Sequence, residues 1–428
     1  MSPPENGRGM RRREMLLATA AATLSAACSP RTRKQGAASF WFAYGGNNRE
    51  VLLSLVDRWN REQTEFSIDA VYQGDYFEAL AKLRTSIAAR RAPALTHVVG
   101  EVVPYLAEAG VLKTLDDFSG KRVFDDLVPA LSQDGAFVRG GERPIVSLPF
   151  NRSTPIAYFN REIFDQLGLR PPTTWEELRA VARAGTIRAA DGSISRYGFA
   201  CPIDWWFWVA LVGQAGGHVI EADGTPSLGG EAGVAALELW QELCHDEKTM
   251  KPPTGRDYNA WQVTNTDFLA GRAAMIWTST SYLRYLEKNA KFPVGAAPLP
   301  GDKRRCVPTG GTMFVMPKAA PPEEHESALA FIKWMMSPKQ ANEWAMRTGY
   351  MPTSNKGLAE LAASGYYREH PNDRVAVDQL ADAFAWPFQP SLFRVQREAV
   401  QPRLEEAVLA RRDARKALDE ARRAAEEP

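Results

Sequence analysis

Cysteine and histidine are scarce, four and five among 428 residues, and the histidines stand far apart. There is no HExxH, no histidine pair at helical spacing and no CxxC, so a metal centre is not expected. GxSxG, the phosphate-cradling GxxxxGKS or GxxxxGKT, and a GxGxxG opening a helix after a strand are also missing. No enzymatic machinery and no cofactor site is visible, although two carboxylates from distant segments leave a glycan hydrolase as an alternative class. Charge of one sign is lacking too: 52 basic and 51 acidic residues give a net charge of +1, without a long basic stripe in the body. A nucleic-acid partner is therefore not expected.

What is present is a globular composition, 45% hydrophobic and 24% charged, with twelve Trp, twelve Tyr and nineteen Phe available for packing or ligand stacking. The N-terminus carries Arg11, Arg12, Arg13 and Glu14 ahead of thirteen uncharged residues, Met15 to Ala27. That run is too short for a permanent membrane span and has the basic flank and small-residue exit of an export signal. It resembles a bacterial twin-arginine leader, with Arg12 and Arg13 as the pair and Met15-Leu16 after it. Leu24-Ser25-Ala26-Ala27-Cys28 looks like a lipoprotein processing box, which makes Cys28 the expected lipidation site, with simple cleavage in the Ala-rich segment as the alternative. Residues 1–27 are thus read as leader and 28–38 as tether, and loss of the leader takes the net charge from +1 to −1. Cys201, Cys244 and Cys306 remain beyond it. Buried unpaired thiols are expected, with a Cys201–Cys244 bridge as the alternative.

Strand and helix patterns alternate along the first hundred residues. Ser39 to Ala43 reads as a strand, residues 49–60 as an amphipathic helix on Leu52, Leu55, Val56 and Trp59, and Phe66 to Tyr72 as a second strand. A helix with Leu80 and Leu83 and a third strand at His97-Val98-Val99 follow, which is the grammar of an α/β lobe. Ligands of open α/β sheets collect outside the carboxyl ends of the strands, where Tyr76 and Glu101 stand. Leu148 to Asn160 reads as a passage between lobes: two prolines stiffen the backbone, Asn151 to Thr154 offer short polar groups, and Ile156 to Phe159 begin a buried strand.

Three further stretches draw attention. Asp204-Trp205-Trp206-Phe207-Trp208 holds three tryptophans within four residues, too many to share one buried face, so at least one is expected to line a cleft. Thr278-Ser279-Thr280-Ser281 puts four hydroxyls between a strand and a helix, where capping needs one. Arg403 to Glu427 alternates charge at helical spacing and reads as a solvated terminal helix.

These residues carry a resemblance. Tyr72-x-Gly74-x-Tyr76, Pro149-Phe150-Asn151-x-Ser153-Thr154-Pro155 with Tyr158-x-Asn160, Gly310-Gly311 and Thr348-Gly349-Tyr350-x-Pro352 are similar, in order and spacing, to the extracellular solute-binding proteins of bacterial ABC importers. Within that large sugar-binding family they look most like the branch for glycerol 3-phosphate and glycerophosphodiesters, with an oligosaccharide as the alternative ligand. The resemblance implies an α/β, two-lobed periplasmic-binding-protein (Venus flytrap) fold with several hinge crossings. Residues 39–150 plus 306–350 would form the N-terminal lobe and 151–305 plus 351–428 the C-terminal lobe, bending near Asn151, Cys306 to Thr309 and Gly349 to Thr353. The matching motifs imply ligand contacts from Tyr76, Glu101, Ser153, Trp206, Ser279, Thr280, Gly311, Tyr350 and Arg394, the last reading a phosphate. An exported monomer that transforms nothing, with permease membrane subunits and an ATPase subunit as partners, is the functional expectation.

Overall fold

The computed structural model describes residues 37–115, 126–132, 144–221, 223–255, 257–384 and 386–427. The twin-arginine pair, Cys28 and all but the end of the tether lie outside the described residues. In chain order the strands are β1 (Ala38–Phe42), β2 (Ile68–Tyr72), β3 (Leu95–Val99), β4 (Leu148–Ser153), β5 (Pro155–Asn160), β6 (Ile187–Arg188), β7 (Ile194–Ala200), β8 (Met250–Lys251), β9 (Ala273–Ser279), β10 (Val294–Ala297), β11 (Val307–Pro308), β12 (Gly310–Val315) and β13 (Ala383–Phe384).

One lobe is built on the order β2-β1-β3-β12-β4, in which β1 to β3 are parallel and β12 runs antiparallel to both neighbours. Strand β1 alternates as the pleat requires, burying Ala38, Phe40 and Phe42. They meet Leu52, Leu55 and Val56 of the helix Gly46–Glu62 and Phe331 of the helix Pro322–Met335. Pro149 sits in β4, which is an edge strand, the place where a residue without an N–H does least harm to a ladder. The polar passage is therefore itself a strand, and the change of sheet falls at Thr154, between β4 and β5.

The other lobe has the order β10-β5-β9-β7-β6, with β8 beside β7. Against it packs the helix Trp205–Gln214, every residue of which is buried. All three tryptophans are covered, which corrects the premise that they could not share a buried face, while Trp206 still lines the cleft as expected. An all-apolar helix is stable only when enclosed on every side, and here the helix Glu231–Gln241, Trp386 and the terminal helices supply the remaining walls. The Trp208 indole donates to Gly233 O at 3.2 Å, and Trp205 stacks on Trp386 at 5.8 Å.

The chain's end differs from the reading as well. Residues 401–426 form two helices, Gln401–Leu409 and Ala414–Glu426, and the second buries Ala414, Ala417, Leu418, Ala421 and Ala425 while its other face carries ion pairs such as Arg415–Glu231. It completes the core rather than standing in solvent. The three cysteines are buried and free, so no Cys201–Cys244 bridge forms. Gly349 ends the helix Pro338–Thr348 at φ +97, and a Cβ there would lie 2.6 Å from Thr280 O, so only glycine fits this crossing.

Candidate ligand-binding cleft

A cavity of about 160 Å³ lies between the two sheets. Tyr76, Phe77, Val99 and Glu101 form one wall, Asp204, Trp206, Trp261, Ser279 and Ser281 the other, and Ser153, Gly310, Gly311 and Tyr350 stand at the crossings. Gln396, Arg397 and Gln401 close one end. Seven of the nine sequence-predicted residues are thus brought together, and Thr280 and Arg394 are not.

Each position has a local cause. Tyr76 opens the helix Tyr76–Ala88, fixed by a capping box between Asp75 and Glu78 directly after β2. Its hydroxyl is 3.4 Å from that of Tyr350 and accepts from Asn151 Nδ2 at 3.5 Å. The amide of Asn151 is oriented by Thr312, whose N–H and hydroxyl both donate to Asn151 Oδ1. Burial raises the Tyr350 phenol pKa against the opposing pull of hydrogen bonds from Tyr76, Ser281 and Asn151, so a neutral hydroxyl faces the cavity. Glu101 is buried in the turn Gly100–Val102 that leaves β3.

The glycine pair shapes the floor. A Cβ on Gly310 would lie 2.4 Å from the Trp206 ring, so its absence lets the indole lie flat against the backbone. Gly311 has φ +87 at a register shift in β12, and a Cβ there would meet Asn151 O at 1.8 Å. Trp206 is held by its Nε1 donating to Thr309 O at 3.2 Å, and its ring lies 5.8 Å from that of Trp261. Asp204 fixes both tryptophans, accepting the Trp206 N–H at 2.9 Å and the Trp261 indole at 3.2 Å.

The hydroxyl run separates at the junction where β9 ends at Ser279 and a 3-10 turn begins at Thr280. Ser279 lines the cavity and receives bonds from Ser281 N–H and Oγ, whereas Thr278 and Thr280 are buried behind it. Arg394 points away from the cavity: its guanidinium donates to Ala424 O and Ala425 O, at 3.2 and 2.9 Å, satisfying the last carbonyls of the terminal helix. Arg397 lines the cleft instead, its guanidinium over the Phe77 ring at 4.0 Å. In an α-helix residues three apart share a face. The segment Val395–Val400 is a π-helix, whose wider turn separates the two arginines. Sequence reasoning also missed Trp261, Gln396 and Gln401 as site residues. The first lies on a helix with little amphipathic signal, and the other two follow the same wide turn.

Paired aromatic rings, convergent hydroxyls, a buried carboxylate and an arginine suit a polar solute with hydroxyls and an anionic group. Among the described residues no group of His, Cys, Asp and Glu is arranged to hold a metal ion, and no helix is long and apolar enough to cross a membrane.

The family of bacterial extracellular solute-binding proteins matches residues 54–372. The chain belongs to this family. Its relatives include the sn-glycerol-3-phosphate-binding periplasmic protein UgpB of Yersinia pseudotuberculosis, 25% identical over 370 residues and covering 82% of each chain. The protein of the same name from Pectobacterium atrosepticum is 25% identical over 406 residues, 89% of this chain and 88% of the other. Among solved structures, UgpB from Mycobacterium tuberculosis in complex with glycerophosphocholine superposes with a TM-score of 0.79 at 24% identity, over 91% of this chain and 97% of that one. The maltose/maltodextrin-binding domain MalE from Bdellovibrio bacteriovorus, bound to maltotriose, gives 0.78 at 18% identity, over 91% and 98%. These superpositions establish the two-lobed periplasmic-binding fold. A bacterial extracellular solute-binding protein acts outside the cytoplasm, which agrees with the exported reading of the N-terminus.

Proposed function

We propose that this solute-binding protein captures a glycerophosphodiester or glycerol 3-phosphate between its lobes and hands it to the permease of an ABC importer, whose ATPase subunit supplies the energy. The observation that carries the reading is Arg397 in the same cavity as the hydroxyls of Ser153, Ser279, Ser281, Tyr76 and Tyr350. A guanidinium reads phosphate oxygens as a fork, the hydroxyls suit a glycerol, and Trp206 offers it a flat face. The volume of about 160 Å³ supports a small ligand over a long oligosaccharide. An oligosaccharide is the second reading, favoured by the Trp206–Trp261 pair, which suits sugar stacking.

Closure follows from a ligand that touches both lobes, because only its differential affinity shifts the open and closed populations. Bending is assigned to Asn151 to Thr154, Cys306 to Thr309 and Gly349 to Thr353. The lobes divide as 39–153 plus 306–350 and 155–305 plus 351–428, with the sheet change at Thr154, and the protein works as a monomer tethered through lipidated Cys28. Nothing happens chemically to the solute.

Calorimetric titration of the chain from Ser29 onward with glycerophosphocholine, sn-glycerol 3-phosphate and maltose tests this. Saturable heat with a glycerophosphate, lost in Arg397→Ala and kept in Arg394→Ala, is expected. Binding of maltose with silence from both phosphates would move the assignment to an oligosaccharide.

A further inference from the structure

A second cavity, of about 900 Å³, lies outside the cleft. It opens between the helix Trp205–Gln214 with the loop after it and the two connectors that carry β11 and β13. Its apolar surface includes Val209 and Val212 of the helix, Ile220 of the loop and Phe384 and Trp386 of a connector. Charges of both signs surround this floor. Arg304 and Arg305 stand on the first connector, Asp382 on the second, and Glu221 and Asp223 on the loop. Arg304 is anchored, its Nε donating to Gly213 O at 2.8 Å. Arg304 and Asp382 both act on the buried Cys306 thiol, in opposite directions, so opposite charges converge on one part of the wall.

One acceptor links a ring of this cavity to a ring of the cleft. Thr309 O accepts the Trp386 indole N–H at 2.8 Å and the Trp206 indole N–H at 3.2 Å. The Thr309 N–H is tied to Phe384 O at 3.0 Å, so the residue moves with the connector that forms the cavity floor. A body resting on Trp386 therefore presses on the acceptor that positions Trp206, and Gly310, next in the chain, lies beneath that ring.

We propose that this cavity is a second small-molecule site, for a zwitterion with a flat apolar body such as an aromatic amino acid, and that its occupancy is transmitted to the cleft through Thr309 O. The carboxylate would meet Arg305 and the ammonium group the acidic residues, while the ring covers Phe384 and Trp386. The site does not depend on which solute fills the cleft.

The test is indole ¹H–¹⁵N NMR of the protein titrated with L-phenylalanine, 3-phenylpropionate and phenethylamine at millimolar concentrations. Phenylalanine should shift the Trp386 and Trp206 indole signals saturably and bind more tightly than either singly charged analogue. Arg305→Glu, an exposed change, should weaken phenylalanine and phenylpropionate several-fold without weakening phenethylamine. Ala383→Trp, on the partly exposed β13, should abolish the shifts by filling the cavity. No saturable Trp386 shift, or the same shifts in folded Ala383→Trp protein, would overturn the site. Equal binding of all three probes would overturn the zwitterion, and a Trp386 shift with Trp206 unmoved would overturn the coupling.

Discussion

Replacing His97 by glutamine should remove a large part of the acid sensitivity of the first lobe. His97 lies in β3, 2% exposed, and its Nε2 accepts the Ala43 N–H at 3.1 Å. The rings of Tyr44, Phe150 and Tyr76 surround it at 5.0, 5.7 and 5.9 Å. Desolvation lowers its pKa from 6.5 to about 3, so the folded protein keeps the imidazole neutral. A depressed folded pKa means that the unfolded chain takes up the proton first. The associated stability is present above 6.5 and is lost as the pH falls towards about 3. Each unit in that window costs about 1.4 kcal/mol, so roughly 2.7 kcal/mol is lost by about pH 4.5 from this residue. Glutamine keeps an acceptor for Ala43 and does not titrate. Urea unfolding at neutral pH and near pH 4.5 should show the wild type losing more stability than His97→Gln by about that amount. Parallel losses in the two proteins would refute the reasoning, because the carboxylates common to both would then account for the whole acid effect.

Gly310→Ala should lower ligand affinity at least about tenfold and cost about 1–3 kcal/mol, since the added methyl overlaps the Trp206 ring; calorimetry and thermal melting read the two effects. Gly349→Ala combines a left-handed backbone with a clash on Thr280 O and should destabilise by about 1–3 kcal/mol or more in urea titration. Arg394→Ala should lower stability by about 1 kcal/mol, through the freed Ala424 and Ala425 carbonyls, with no change in ligand titration. The thiols should be inert to Ellman's reagent near pH 8 until the protein unfolds, because burial raises the pKa of Cys201 and Cys306 and lifts Cys244 to about 12.

The first lobe was legible because its elements are regular. Leu52, Leu55 and Val56 repeat at helical spacing, β1 alternates, and the ends of β2 and β3 point to Tyr76 and Glu101 where sheet geometry says a ligand belongs. Departures from regular period hid the rest. The π-turn after Arg394 exchanges which arginine reaches the cleft, and a 3.6-residue reading cannot register it. Counting faces led to Trp206 in the cleft but misjudged how the other tryptophans are covered, because the covering surface comes from small alanines some two hundred residues later whose flanking charges read as solvent-exposed. The resemblance puts the crossing near Asn151, whereas hydrogen-bond register carries β4 on to Ser153.

That late cover has a consequence for synthesis. The helix Trp205–Gln214 is enclosed partly by Leu404, Ala407, Val408, Ala417, Leu418 and Ala421, and the Trp205 N–H finds its acceptor in the side chain of Gln401. A nascent chain must carry one side of this aromatic helix uncovered until roughly two hundred further residues have been added. The second lobe can finish only after Gln401 to Ala421 are made, and until then the growing chain presents the kind of apolar surface that chaperones bind.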